Sequence, residues 1–221
     1  MKTGFKDLDN IIKLNGGELI VVASRPAMGK STFVQNIMSN VVIKQNKATL
    51  LFSLEESKEK IINRLIASNS VGVNLLKNAP IYIASDIPYT IDEICLKSKD
   101  LKIKKDIKLI IIDYLQLIAF DKKELLSRDN EIKEILRRLK ILAKELDVPI
   151  IITTQLSKQL EKREDKRPCI ADFTNSKNGI LTYSDKILFL YSDSYYYEGA
   201  SSITEILIAK NNDGPIDIIK L

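Results

Sequence analysis

The chain has no histidine and no tryptophan, and only two cysteines, Cys95 and Cys169, in 221 residues. Without histidine there is no Ser-His-Asp triad, no Cys-His dyad and no His-ligated metal, so any catalysis must rest on carboxylates, Lys, Arg or a nucleotide-bound metal. The cysteines lie too far apart in sequence for a zinc pattern or a disulfide framework, and are read as reduced, ordinary thiols. No apolar run approaches bilayer length, and the opening "MKTGFKDLD" lacks the core of a signal peptide, which points to a soluble cytoplasmic protein with no membrane partner. Aromatics are sparse at 6%, yet 45% of residues are hydrophobic, enough to bury the core of one domain spanning 1–221. The formal net charge of +5 permits a polyanionic partner without demanding one. Much of it is local: "KSKDLKIKKDIK" packs six lysines into twelve residues, which a solvated helix face explains at least as well as contact with nucleic acid.

What is present is an alternation of short β-rich runs with longer helical patterns, the order a parallel sheet with crossover helices requires. The strand candidates are 18–23, 48–53, 80–84, 109–113, 148–154, 186–191, 203–209 and 216–221. Between the fifth and its predecessor, 131–146 places Ile132, Ile135, Leu136, Leu139, Leu142 and Leu146 on one helical face with charge opposite. The last two strands meet across "KNNDGP", which reads as a hairpin and gives the sheet an antiparallel edge. The fold class expected is α/β, a mostly parallel twisted sheet with helices on both faces and an antiparallel C-terminal hairpin. Residues 119–130 and 158–183 are the least structured parts; they follow strand ends, where open α/β sheets bind ligands.

One such strand end runs "GELIVVA-SRPAMGKST", apolar residues passing through Pro and Gly into Gly29-Lys30-Ser31 and then a helical pattern. The phosphate-binding loop G-x-x-x-x-G-K-[ST] has this form: its backbone amides and helix N-terminus cradle phosphates, its Lys reaches the β/γ-phosphates and its Ser/Thr meets magnesium. Its first glycine is here Ser24. The loop candidates for nucleotide binding are Ser24, Arg25, Pro26, Ala27, Met28, Gly29, Lys30, Ser31 and Thr32. Asp113 ends the most apolar strand, as an acid of a magnesium shell does. Glu55, after 48–53, stands where a carboxylate could deprotonate an attacking water, and Gln155, after 148–154, where an amide could sense a terminal phosphate. The plain alternatives are a chance Gly-Lys-Ser step, an acid that merely ends a buried strand, and a helix-start acid capped by Ser53.

The segments "TGFKDLD", "RPAMGKS", "LFSLEES", "LIIIDYLQLI", "LKILAKELDVPIIITTQLSK", "DKRP" and "ILFLY" resemble, in order, the C-terminal ATPase domain of the hexameric replicative DNA helicases of the DnaB type. The resemblance implies a RecA-like P-loop NTPase fold, ATP and Mg2+ as ligands, hydrolysis coupled to movement along single-stranded DNA, self-association into a hexameric ring, and contact with other replication proteins. It also implies roles: Lys30 on phosphate, Ser31 and Asp113 at the metal, Glu55 as base, Gln155 as sensor. Arg128 matches a family arginine of unassigned role. The departures are expectations too. The family's N-terminal domain and linker helix are absent from this chain, and the stretch between "RLIASNS" and "IYIASD" is shorter than in relatives by roughly two helices. The family's DNA-gripping loop is here "DFTNSKNGILTYSD", with Lys177 as its basic residue. In "AKNNDGP" Lys210 is kept as a catalytic cation while Asn212 occupies the arginine-finger position. These departures carry a second reading, a nucleotide-binding relative that associates with or regulates a replicative helicase with weak or no unwinding.

Overall fold

Runs of Ile, Leu and Val cannot stay in water, and β-branched residues pack well on a pleated surface, so the eight apolar runs pair into one sheet. In the computed structural model, which describes residues 1–67, 79–85, 89–120, 127–173 and 176–221, its strands are β1 Leu19–Ser24, β2 Thr49–Ser53, β3 Ile81–Ala84, β4 Leu109–Asp113, β5 Ile150–Gln155, β6 Lys186–Tyr191, β7 Glu205–Asn211 and β8 Ile218–Lys220. Their order across the sheet is β3-β2-β4-β5-β1-β6-β7-β8. Pairs from β3 to β6 are parallel. The expected C-terminal hairpin is present as antiparallel β7 and β8, but the antiparallel arrangement begins one strand earlier, between β6 and β7. The cause is the connection: between β6 and β7 lies only the 3-10 turn Asp193–Tyr195, and no crossover helix returns the chain for parallel pairing.

Alternation within the strands divides the core in two. Val21, Leu50, Ile110 and Ile152 face one side, where they meet Ile94 of α4 (Ile91–Lys105) and Ile135, Leu139 and Leu142 of α5 (Arg128–Leu146). Ile20, Val22, Leu51 and Ile111 face the other, against Val34, Ile37, Met38 and Val41 of α2 (Lys30–Gln45). Neighbouring residues of a strand thus enter different cores, and a one-residue slip would exchange them. Shorter helices are α1 (Lys6–Ile11), α3 (Lys58–Ala67) and α6 (Lys177–Tyr183). Helix α5 starts at Arg128 rather than 131. Its first turn, Arg128 to Glu131, carries no apolar signal, and is stabilised by Asp129 and Glu131 near the positive helix end and by the Arg128–Glu131 pair.

Of the two stretches expected to lack structure, 119–130 contains the start of α5, and 121–126 lie outside the described residues. The stretch 158–183 holds 3-10 turns at Lys158–Lys162 and Ile170–Asp172 and then α6, with 174–175 outside the description. The shortened region after Arg64 falls largely on 68–78, also outside it. The lysine-rich run forms most of α4, where Lys99 pairs with Glu145, Lys104 with Asp100, and Lys102 and Lys108 with Asp106. Four of the six lysines thus have acidic partners, as a solvated helix face would provide. Both cysteines are free thiols, and no helix among the described residues is long and apolar enough to cross a membrane.

Candidate functional site

Parallel strands deliver their carboxyl ends to one edge of the sheet, and the register levels four of them in two pairs, the β1/β5 pair two residues further along than the β2/β4 pair because Ile112 is opposite Ile152. Ser24 of β1 pairs with Gln155 of β5, and Ser53 of β2 with Asp113 of β4. Beyond Ser24 the chain must turn sharply into α2. The turn uses two left-handed positions, Ala27 at φ 61° and Gly29 at φ 84°. A Cβ built on Gly29 would meet nothing within 4 Å, so that glycine faces open space at the helix start. Glycine as N-cap also leaves the first amides of a 16-residue helix without a side-chain acceptor.

Helix α2 opens with Lys30 and has no acid in its first turn, an arrangement the helix dipole disfavours until an anion arrives. Lys30 is 8% exposed. Its Nζ donates to Ser24 Oγ at 3.1 Å, Arg25 O at 3.2 Å and Ser24 O at 3.3 Å. Burial lowers its pKa to about 8, against the opposing pull of Asp113 and Glu55. A desolvated cation, unsatisfied helix amides and an open glycine together form a cradle for a polyanion.

Facing the cradle are three acids. Asp113 is 7% exposed, and its Oδ1 accepts the Thr153 hydroxyl, which leaves Oδ2 as the oxygen available to a cation shell. Glu55 is exposed at the cleft, and Glu56 is beside it. The cleft encloses about 380 Å³ between Gly29, Lys30, Ser31 and Thr32 on one side and Glu55, Asp113 and Gln155 on the other. One hydroxyl, Ser31, and one oxygen-donor acid, Asp113, fit a hard divalent cation that keeps most of its water. The donors thus suit a magnesium–nucleotide pair.

Not every loop candidate faces this cleft. Pro26 and Ala27 line it. Ser24 is fully buried behind Lys30 and acts through that side chain. Arg25 turns away: its Nε lies 2.7 Å from Glu161 Oε1, and it donates to Leu156 O at 2.7 Å. Met28 is buried in the loop and is not among the cleft residues. Lys210 lies elsewhere, donating to Leu181 O at 2.9 Å and Ser184 O at 2.6 Å, the free carbonyls at the end of α6. Asn212 is exposed, with its backbone N–H on Asp185 O. Because Asp185 is level with Leu19, Asn212 sits roughly 17 Å along the strands from Ser24, at about 3.3 Å per residue.

Sequence reasoning missed Glu56 and Arg64, which also line the cleft. Arg64, on α3, grips Glu56 through both terminal nitrogens, one at 2.9 Å, and donates to Gln35 Oε1 at 3.2 Å. Only the doublet Glu55-Glu56 before a helix bearing an arginine hinted at it. Nothing in the apolar run 148–154 marks Thr153 as the partner of Asp113.

The family described as DnaB-like helicase C terminal domain matches residues 1–75 and 70–221. The chain belongs to this family. It is 35% identical over 243 residues to Replicative DNA helicase DnaB of Geobacillus stearothermophilus, covering 99% of this chain and 53% of that protein. It is 38% identical over 250 residues to Replicative DNA helicase DnaB of Buchnera aphidicola subsp. Baizongia pistaciae, covering 100% and 53%. The chain therefore spans about half the length of these curated relatives. In structure it is similar to a solved ATPase domain, with a TM-score of 0.92, 32% identity and coverage of 99% of this chain and 86% of that one. It also matches a DnaB-like replicative helicase whose interactions with primase are described, at TM-score 0.91, 32% identity, 99% and 58% coverage. The expected RecA-like, mostly parallel sheet with antiparallel C-terminal strands is the architecture of this DnaB-like family.

Proposed function

We propose that this chain is the ATP-driven motor domain of a replicative DNA helicase, working in the cytoplasm on single-stranded DNA as part of a ring, with other replication proteins as partners. The observation that carries the reading is the convergence of Lys30, Ser31, Glu55, Asp113 and Gln155 on one cleft at the carboxyl edge of the sheet. Similarity to replicative helicases along its whole length supports it.

In this reading the amides at the start of α2 and the Lys30 ammonium receive the β- and γ-phosphates, whose negative charge offsets the desolvation that lowers the lysine's pKa. Ser31 and, through water, the free oxygen of Asp113 would hold magnesium, which would neutralise charge on the phosphates. Glu55 takes the proton of the attacking water, and Gln155, at the strand end beside the loop, donates to the terminal phosphate. Thr153 fixes the Asp113 carboxylate through its hydroxyl. Strands β4 and β5 end at the same sheet edge, and the stretches expected to meet DNA, near 119–130 and 158–183, follow them in sequence; Arg128 and Lys177, at the starts of α5 and α6, are proposed as their DNA contacts.

The position of Asn212 favours a slower enzyme. A guanidinium supplied in trans contributes about 10³ to 10⁵ in rate by stabilising charge on the transferring phosphoryl group, and an amide cannot replace it. The decisive experiment is ATPase activity with and without single-stranded DNA over a range of protein concentrations. Stimulation by DNA that grows with concentration supports the ring motor. ATP binding with hydrolysis that neither DNA nor concentration stimulates rejects it in favour of a nucleotide-binding partner of a helicase.

A further inference from the structure

The cleft holds a second carboxylate and a second cation beyond the residues just assigned, and they are locked together. Glu56 follows Glu55 directly, so at the end of β2 two consecutive acids enter one anion-binding cleft. Like charges there would repel a polyphosphate. Glu55 is exposed, whereas Glu56 is gripped by the Arg64 fork through both of its oxygens. The pair is half-buried, with the Glu56 side chain 26% and the Arg64 side chain 37% exposed.

Where that guanidinium sits is fixed from a third element. Arg64 Nη1 also donates to Gln35 Oε1, and Gln35 is 4% exposed. Gln35 is four residues beyond Ser31 on α2, so the two lie on one helix face about 6 Å apart along the axis. The fork is therefore held one helical turn from the hydroxyl at the mouth of the phosphate cradle. An arginine fork matches a phosphoryl group as well as a carboxylate, because both present paired oxygens. Glu56 occupies that fork in its place.

We propose that Glu56 is a positioning residue that sets nucleotide affinity: by holding the Arg64 guanidinium it keeps from the terminal phosphate a cation that the cleft already contains. The proposal rests on the nucleotide reading of this cleft. The chemistry discriminates between ligands, since a diphosphate ends short of the position where the extra phosphoryl group of a triphosphate would compete with Glu56 for the fork.

The test measures binding of a non-hydrolysable ATP analogue and of ADP, each with magnesium, to the full chain by calorimetry, with thermal unfolding followed in parallel. Glu56→Gln keeps the shape but gives up the charge. It should tighten the triphosphate by about three- to tenfold, the net scale of one ordinary hydrogen bond, and ADP by less than about twofold. Unchanged or weaker triphosphate binding, or equal tightening of both ligands, overturns the proposal. Arg64→Gln removes the fork and leaves the Glu56 charge unpaired where the extra phosphoryl group would lie, so it should lower the preference for triphosphate over diphosphate, and this variant carries the test if Glu56→Gln does not fold. An ion pair that merely anchors α3 would lower the melting temperature in both variants and leave the preference unmoved. Lys30→Met separates the two levels of argument. If that variant binds ATP like the wild type, the nucleotide reading itself fails; if it loses binding while Glu56→Gln and Arg64→Gln leave the preference unchanged, only the role of Glu56 is lost.

Discussion

Lys30 Nζ lies 3.1 Å from Ser24 Oγ, so the residue standing where the phosphate loop usually opens with glycine is the one that holds the loop's lysine. A glycine is needed only where the backbone turns left-handed or another backbone comes close. Ser24 needs neither, because it is the last residue of β1 and pairs with Gln155. The left-handed positions come later, at Ala27 and Gly29. Ser24→Ala should therefore keep ATP affinity within about threefold while lowering stability by roughly 1 kcal/mol, the usual net worth of one buried hydrogen bond. A loss of affinity in calorimetry as large as that of a Lys30 variant would show that the serine itself meets the nucleotide.

Lys30 links stability to pH. Its folded pKa of about 8 is below the ordinary 10.5 because burial penalises the charged form. The unfolded chain binds that proton more tightly, so the protonated lysine lowers folding stability below pH 8, and stability rises as pH climbs from about 8 to 10.5. Lys30→Met removes the penalty and should be more stable than wild type at pH 7 by about 1 to 3 kcal/mol, with the difference closing across that window. The same variant should lose most of its nucleotide affinity. In the wild type, affinity should weaken above pH 8 as the free cleft gives up its proton. Denaturant melts of the two proteins at three pH values decide it; a constant difference would mean that Lys30 is not the titrating group.

Glu55 and Glu56 are adjacent, but only Glu56 is held in a fork. Glu55→Gln should accordingly bind Mg-ATP normally and turn over about 10² to 10⁴ times more slowly, as expected when a general base is replaced by its amide. Loss of binding in that variant would move Glu55 into the metal shell and leave the base to be found elsewhere.

These residues also mark the limit of what sequence makes legible. The eight strands could be read because each is a short apolar run, and α5 because Ile132 to Leu142 repeat at helical spacing. Direction between strands was harder to read: β7 is antiparallel to β6 because no helix separates them, and the only sign of that is the lack of an apolar helical repeat in the Ser-rich 192–204 segment. The ends of α2, α4 and α5 were hidden as well, since Asn46, Asp106 and Asp147 adopt the left-handed conformation in place of glycine. At the site, the residues at strand ends were visible because they follow apolar runs. The Glu56–Arg64 fork and the Asp113–Thr153 contact were not, because each joins elements whose approach depends on the finished sheet. Arg25 shows the opposite error: a motif names consecutive residues, but only some of a loop's side chains face the cleft, and this one is bound to Glu161.

Asn212 decides between a motor and a helicase-associated relative. It stands after β7, exposed, with its Nδ2 3.4 Å from Asp185 Oδ1, and the next residue, Asp213, is tied to buried Lys186 at 3.0 Å. The hairpin is thus anchored at the end of the sheet opposite its own phosphate loop, roughly 17 Å away at about 3.3 Å per strand residue. An arginine at this position cannot reach its own cleft and can act only on another subunit's. Asn212→Arg should therefore raise ATPase activity only where chains associate, with an effect that grows with protein concentration. A tenfold increase corresponds to about 1.4 kcal/mol of transition-state stabilisation, well below a full arginine finger and reasonable for a hairpin tuned to asparagine. The measurement is steady-state turnover of wild type and variant over a hundredfold range of concentration, with and without single-stranded DNA. Fast, DNA-stimulated wild-type turnover that the arginine leaves unchanged would keep the motor and assign the charge to another cation, with Lys210 first in line once it leaves the α6 carbonyls. Inert proteins under every condition would favour the relative that binds nucleotide without unwinding. An increase independent of concentration would place the hairpin at its own cleft, against the separation of roughly 17 Å that strand geometry gives at about 3.3 Å per residue.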